Sequence, residues 1–435
     1  MAKDATGHAL TALNRLAGSS LLDRLGMRRM VERLAYGLTR SGFRVLTTSA
    51  RAFQSVGGRG KPERLDAPGQ TTDLFDLHIT EEQQMIRNSV QDFARDVLLP
   101  GAERADAEQR TPEETLAAAR ELGLNFFAVP ESLDGAATER STVTTMLVAE
   151  DLAGGDMGQA VAILAPMSVA NALTRWGSAE QQSRYLPAFA GEESPLATIA
   201  VCEPRPLFDP LELETSATRQ DGDWVLNGTK SLVPLAAEAE LFLVAAQTDE
   251  GPAVFIVEGG TEGLSCGEDS PMGIRAAATR PLQLNNVRVP DSQRLGVEDF
   301  DYRAFIDLGT LAWCALAVGT SQAVLDYVIP YCNERKAFGE PISHRQSVAF
   351  MISNMAIEVE AMRILTWRAA SRAEQGRDFR RETHMARTLV KEKAMQVGTD
   401  GVQLLGGHGF THEYPVERWY RDLRAIGVAW GGLHL

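Results

Sequence analysis

Cysteine is scarce in this 435-residue chain: Cys202, Cys266, Cys314 and Cys332 are the only four, and no two form a CxxC pair. That excludes a disulfide framework and a zinc knuckle, and the four read as reduced thiols of an intracellular protein. The seven histidines are scattered. His408 and His412 stand four apart, but inside the run Gly406-Gly407-His408-Gly409-Phe410 helical spacing means little. No compact set of thiolates or carboxylates accompanies them, so no metal is expected. No uncharged apolar run of about 18 residues exists, so no transmembrane helix is expected. Nothing in the composition marks a collagen-like, disordered or repeat chain. Positive charge is also in deficit, with 43 Lys+Arg against 58 Asp+Glu and a formal net charge of −15. A chain this acidic is not expected to take nucleic acid as its main partner.

The positive charge is unevenly placed. Residues 1–64 hold ten Arg and two Lys against two Asp and two Glu, a net of +8, so the rest of the chain carries −23. Within this leader, Leu21, Leu22, Leu25, Met30, Leu34 and Leu38 recur near helical spacing, with Arg24, Arg28, Arg29 and Arg33 between them. It lacks the continuous apolar core of a secretory signal. Three readings stay open: a helical hairpin on the protein's own acidic surface, a basic amphipathic helix on a membrane surface, and an organelle transit segment. Gly57-Gly58-Arg59-Gly60-Lys61-Pro62 reads as a linker, so residues 1–74 form a leader and linker.

What is plentiful is apolar residue, 44% of the chain, enough for a large core spread over two or three domains. Thr80-Glu81-Glu82 predicts a helix start, with Thr80 as cap and the acidic pair on the positive helix end. Its apolar residues run through Met85, Ile86, Val90, Phe93 and Val97, and Pro100 is expected to end it. Helical patterns follow over 112–123 and 141–153. Ala160–Trp176, apolar on most sides, predicts a deeply buried helix. Near 194 the texture changes. Leu196–Val201, Trp224–Asn227, Ala239–Ala246, Ala253–Val257 and Leu282–Val289 are short apolar or alternating runs. Asp221-Gly222-Asp223, Asn227-Gly228, Glu250-Gly251 and Glu258-Gly259-Gly260 punctuate them as tight turns. From 301, long helical periods return over 302–335, 344–374 and 380–405. The expected class is α+β, mostly α. It has a helical domain over 75–191, a small antiparallel β-domain over 192–300 and a bundle of the four-helix type over 301–435.

Three stretches carry a family resemblance. Asn333-Glu334-Arg335-Lys336-Ala337-Phe338-Gly339-Glu340-Pro341-Ile342, followed by Gln346, is one. Gln403-Leu404-Leu405-Gly406-Gly407-His408-Gly409-Phe410, with Glu413-Tyr414-Pro415-Val416-Glu417-Arg418 and Arg421-Asp422, is another. Trp224-Val225-Leu226-Asn227-Gly228-Thr229-Lys230 is the third. Together they resemble the acyl-CoA dehydrogenases, over about 75–435. The resemblance implies an FAD-dependent enzyme that oxidises an acyl-CoA thioester to the 2,3-enoyl-CoA. A carboxylate removes the α-proton and the β-hydrogen leaves as hydride to the flavin. It implies that Arg335 binds the FAD diphosphate, a role suited to a planar guanidinium. It places Phe338 near the adenosine, Gln346 in the same region, and Gln403 with the Gly406-Gly407 backbone along the dinucleotide, typically that of a neighbouring subunit. Asp307 falls where the family contacts the CoA pantetheine. The implied assembly is a homodimer or homotetramer. The implied electron acceptor is an electron-transfer flavoprotein, or oxygen in the oxidases and monooxygenases of the same superfamily. The expected location is cytoplasmic, at the inner-membrane surface if the leader docks there, and mitochondrial in a eukaryote.

The pattern then breaks. Val201-Cys202-Glu203-Pro204-Arg205-Pro206-Leu207-Phe208-Asp209 stands where the family reads V-T/S-E-P-x-x-G-S-D. Cys202, a weak donor, replaces the hydroxyl that meets the flavin ring, and Phe208 falls at the flavin and CoA contact. Lys230-Ser231-Leu232-Val233-Pro234 replaces K-x-W-I-T/S, so Leu232 takes the place of the covering tryptophan and Pro234 that of a hydroxyl near N5. Counting from Arg421-Asp422, the family's base glutamate falls on Trp430, which cannot accept a proton. The family's alternative base position falls near Gly309 or Thr310, and Asp307, about 200° around that helix, is expected to face elsewhere. Family members usually continue into another helix past the position of Leu435. His434, in the tail Gly431-Gly432-Leu433-His434-Leu435, is a candidate base on an expectedly mobile segment. The alternatives are therefore a catalytically impaired homologue acting as a partner subunit or acyl-CoA-binding protein, an enzyme with altered oxygen chemistry, and a membrane-docked scaffold using the leader.

Overall fold

The structure is a computed structural model, and it describes residues 78–435 apart from Arg140, Glu192 and 297–299. The expectations for the leader lie outside the described residues.

Thr80 caps α1 (Glu81–Phe93) as its sequence predicts. Its Oγ1 accepts from Gln83 N at 3.1 Å while Gln83 Oε1 accepts from Thr80 N at 3.0 Å. Pro100 does not end the helix. A π turn over Ala94–Leu98, closed by Leu99 N donating to Ala94 O, leads directly into α2 (Leu99–Glu108). Pro100 thus stands in the first turn of a new segment, where a missing N–H costs nothing. One buried stripe, Val90, Phe93, Ala94, Leu98, Ala102 and Ala105, runs through the junction. Next come α3 (Glu113–Glu121), α4 (Thr142–Gly155), α5 (Met157–Trp176) and α6 (Ala179–Phe189).

The middle of the chain forms one seven-stranded sheet: β1 (Ala197–Ala200), β2 (Ser216–Gln220), β3 (Asp223–Val233), β4 (Leu241–Thr248), β5 (Gly251–Glu258), β6 (Leu264–Cys266) and β7 (Arg280–Val289). Its order is β1-β4-β2-β3-β7-β6, with β5 on β4. Most pairs are antiparallel, but β1 joins β4 in parallel, as Ala197↔Leu241 through Ala200↔Val244, and β2 touches β4 in the same sense. The parallel pair arises because the chain returns to β1's side only after the β2–β3 hairpin. That hairpin turns at Asp221-Gly222, both with positive φ, as the sequence predicts. Asn227-Gly228 is not a turn. It is a bulge inside β3, with a register shift between Leu226 and Gly228. Thr215 packs there, so a Cβ on Gly228 would lie 2.7 Å from its Cα.

The C-terminal part holds α7 (Tyr302–Glu334), a small hairpin of β8 (Lys336–Ala337) and β9 (Glu340–Pro341), α8 (Gln346–Glu374), α9 (Arg380–Leu405) and α10 (Val416–Leu423). α7 packs against α4, α8 and α9. α5 and α7 are long and apolar enough to cross a membrane by length and composition, but their apolar windows are 94% and 89% buried within this fold. The same apolar residues here form the core between the sheet and the bundle.

Candidate functional site

The end of α7 and the end of α9 come together through side chains. Tyr331 Oη lies 3.0 Å from His408 Nδ1, and the His408 ring stacks on Tyr414 with centroids 5.0 Å apart. One turn beyond Tyr331, Arg335 caps α7 through its backbone and leaves its side chain exposed, with no carboxylate partner among the described residues. Phe338 is 93% exposed at φ +56°, with Arg345 Cζ 5.1 Å from its ring centre. Gln346 and Gln403 are exposed, and so are Gly406 and Gly407, where a built Cβ would meet nothing within 4 Å. A free guanidinium, an exposed aromatic face and two open glycine backbones suit a diphosphate with its adenosine. The residues at this end fit FAD.

The ring end is different. Cys202 is buried and its thiol is pushed up to about 12 by burial, so it stays neutral. The thiol sulfur accepts from Trp430 N at 3.0 Å and lies 3.1 Å from Trp430 O, so it is engaged by the backbone of the base position itself. Pro234 is buried against the tail, and a Cβ on Gly432 would come 3.0 Å from its ring. Glu203 and Lys230 form a buried ion pair at 2.8 Å, with side chains 2% and 0% exposed. Lys230 Nζ also donates to Val201 O at 3.2 Å, and Glu203 accepts from Glu214 N and Thr215 N at 2.7 and 2.9 Å. This pair ties the end of β1 to the end of β3 directly behind Cys202. Phe208 is half-buried with Arg205 Cζ 5.5 Å over its ring. Leu207 beside it is fully exposed at φ +54°.

Neither position for a carboxylate base carries one. Trp430 is half-buried, and the Arg387 guanidinium carbon sits 3.8 Å from its ring centre. At the alternative position, a Cβ on Gly309 would lie 2.8 Å from Leu433 O. The tail occupies that space. Gly431, at φ +63°, passes so close under β1 that a Cβ would lie 2.5 Å from the Val201 side chain. Its carbonyl accepts from Trp313 Nε1 at 2.8 Å. Asn171 Nδ2 donates to His434 O at 3.3 Å, and Trp176 Nε1 donates to His434 Nε2 at 3.2 Å.

His434 is therefore not on a mobile tail. It is 1% exposed, with its ring 5.3 Å from that of Phe305, because α5 and α7 clamp the segment from both sides. Asp307 faces away from Gly309, as its spacing predicts. It lies 3.5 Å from Arg303 Nε, 6% exposed, and burial raises its carboxyl to about 6.

Sequence reasoning missed Arg387. It belongs to the buried stripe Thr383, Ala386, Val390 and Ala394 of α9, and an arginine on an apolar stripe was the available signal. Trp313, which holds the tail, was also missed, because nothing in its local pattern separates it from an ordinary core tryptophan.

Residues 80–193, 198–287 and 302–432 match the N-terminal, middle and C-terminal domains of acyl-CoA dehydrogenase. The bovine short-chain specific acyl-CoA dehydrogenase, a mitochondrial protein, is 33% identical over 400 residues, 88% of this chain and 94% of its own. The cyclohex-1-ene-1-carbonyl-CoA dehydrogenase of Geobacter metallireducens is 34% identical over 365 residues, 81% of this chain and 95% of its own. Among solved structures, butyryl-CoA dehydrogenase from Megasphaera elsdenii superposes with TM-score 0.74 at 29% identity, covering 81% of this chain and 95% of that one. The chain belongs to the acyl-CoA dehydrogenase family. It is an FAD-dependent oxidoreductase of that type.

Proposed function

We propose that the protein binds an acyl-CoA thioester and catalyses its α,β-dehydrogenation, with proton removal as the slow step. The observation that carries this reading is the diphosphate end: Arg335, Phe338, Gln346, Gln403, Gly406 and Gly407 are retained, and their exposed, unobstructed arrangement suits FAD. Bound FAD supplies the hydride acceptor. Arg335 would hold the diphosphate and Phe338 would pack near the adenosine. The Glu203–Lys230 pair fixes the ends of β1 and β3 next to Cys202, and Asp307 would contact the pantetheine. The C-terminal tail keeps water out of the space between β1, α5 and α7. No carboxylate stands at position 430 or 309, which slows proton removal by roughly 10²–10⁴-fold. An electron-transfer flavoprotein is the proposed acceptor, and oxygen is the alternative.

A second reading is favoured by Trp430 and the filled space at Gly309: an acyl-CoA-binding partner subunit without turnover of its own. Anaerobic titration of the flavin-loaded protein with acyl-CoAs of increasing length separates the two. Bleaching of the flavin band supports dehydrogenation. A spectrum perturbed by the thioester but never bleached supports the partner-subunit reading. No spectral response to any thioester contradicts both.

A further inference from the structure

Arg387 is 8% exposed and no carboxylate pairs with it among the described residues. One terminal nitrogen donates to Ala429 O at 3.1 Å, while the other, NH1, is buried without an acceptor. The groups facing it are Trp430, Cys202 at the end of β1 and Cys314 on α7, and both thiols are neutral because burial raises them to about 12. A desolvated guanidinium with an orphan donor is costly, and the Trp430 ring offsets only part of that cost. A buried cation of this kind is completed by an anion, and the described residues provide none.

We infer that Arg387 is the counter-ion site for a carboxylate on the ligand, so that the protein selects the CoA monothioester of a short dicarboxylic acid over a neutral acyl-CoA. A planar guanidinium with a free NH1 edge matches a carboxylate oxygen in geometry and charge. Trp430 contributes its ring as a wall over the same guanidinium, which explains why an aromatic residue rather than a carboxylate stands there. A glutamate at 430 would neutralise Arg387 and repel an anionic ligand. The inference rests on the acyl-CoA reading for the other half of the ligand.

The test is calorimetric binding to the flavin-loaded full-length protein under anaerobic conditions. It compares malonyl-, succinyl- and glutaryl-CoA with their neutral isosteres. At least one dicarboxylic thioester should bind about ten- to a hundredfold tighter than its isostere, as expected for a charge-assisted hydrogen bond to a buried cation. Arg387→Met should abolish that preference, weakening the dicarboxylic thioester far more than its neutral isostere, and Arg387→Lys should keep part of it. A merely structural arginine would weaken both ligands alike. Equal binding of charged and neutral thioesters by wild type overturns the inference and leaves the acyl-CoA reading standing. If no thioester binds, free glutarate decides. A rise in melting temperature that Arg387→Met removes keeps the carboxylate site and rejects the acyl-CoA half. No such rise overturns the site as well.

Discussion

Replacing Glu203 by glutamine probes the buried ion pair that ties β1 to β3. The carboxylate serves three donors: Lys230 Nζ and Thr215 N on one oxygen, at 2.8 and 2.9 Å, and Glu214 N on the other at 2.7 Å. Glutamine has a single carbonyl oxygen and must turn its amide toward one of these donors. A backbone N–H then loses its acceptor at a cost of about 1–3 kcal/mol. Lys230 also loses its only carboxylate. Burial already pushes the lysine down to about 8. Without Glu203 it falls further, because the carboxylate that raised it is gone. Each pKa unit of that fall costs about 1.4 kcal/mol while the lysine stays charged.

The sign of the pH dependence follows. A lysine depressed in the folded state lets the unfolded chain bind the extra proton, so stability rises with pH above the folded value. In Glu203→Gln that rise begins at a lower pH than in wild type, where it begins above about pH 8. The stability gap, about 2–4 kcal/mol near pH 7, should therefore narrow as pH rises toward about 8. Thermal melts of the flavin-loaded protein across this range measure it. Adding Lys230→Met to Glu203→Gln should recover part of the loss, because no unpaired charge is left behind. A gap that stays constant or widens toward alkaline pH refutes the argument.

Further outcomes are expected elsewhere. Burial and the neighbouring Asp156 raise the Asp422 carboxyl to about 8, so the folded chain holds a proton that the unfolded chain releases. Stability should fall as pH rises between about 4 and 8, and Asp422→Asn should flatten that slope in a series of melting curves. Gly309→Ala should destabilise by about 1–3 kcal/mol, because its Cβ would press on Leu433 O. Gly154→Ala, with nothing within 4 Å of its Cβ, should instead stabilise α4 by about 0.5–1 kcal/mol. Equal melting shifts for the two glycine variants would contradict the packing of the tail against α7.

How much was legible in sequence depended on whether a signal was local. Thr80 with Glu81-Glu82, the long periods of α7, α8 and α9, and the Asp221-Gly222 turn all declare themselves within a few residues, and the structure has them. Pro100 misleads because a π turn resets the hydrogen-bond register, and no local pattern announces one. β2 was passed over because Ser216–Gln220 is polar and buries only Ala217, and β6 because three residues carry no alternation. The bulge at Gly228 depends on Thr215 packing from another segment. In the site, the exposed group from Arg335 to Gly407 could be found because a family motif preserves it in order. Arg387, the clamp on His434 and the closure of Gly309 by Leu433 are contacts between segments far apart in the chain, which spacing alone does not encode.

This acyl-CoA dehydrogenase-type flavoprotein carries Trp430 at the position that the family resemblance gives to the proton acceptor. Rapid anaerobic mixing of a neutral acyl-CoA with wild type and with Trp430→Glu is followed at the flavin band, a neutral chain avoiding repulsion by the new carboxylate. The variant should reduce its flavin roughly 10²–10⁴ times faster than wild type. Wild-type reduction as fast as, or faster than, that of the variant would contradict it, and would mean that another group in this chain removes the proton.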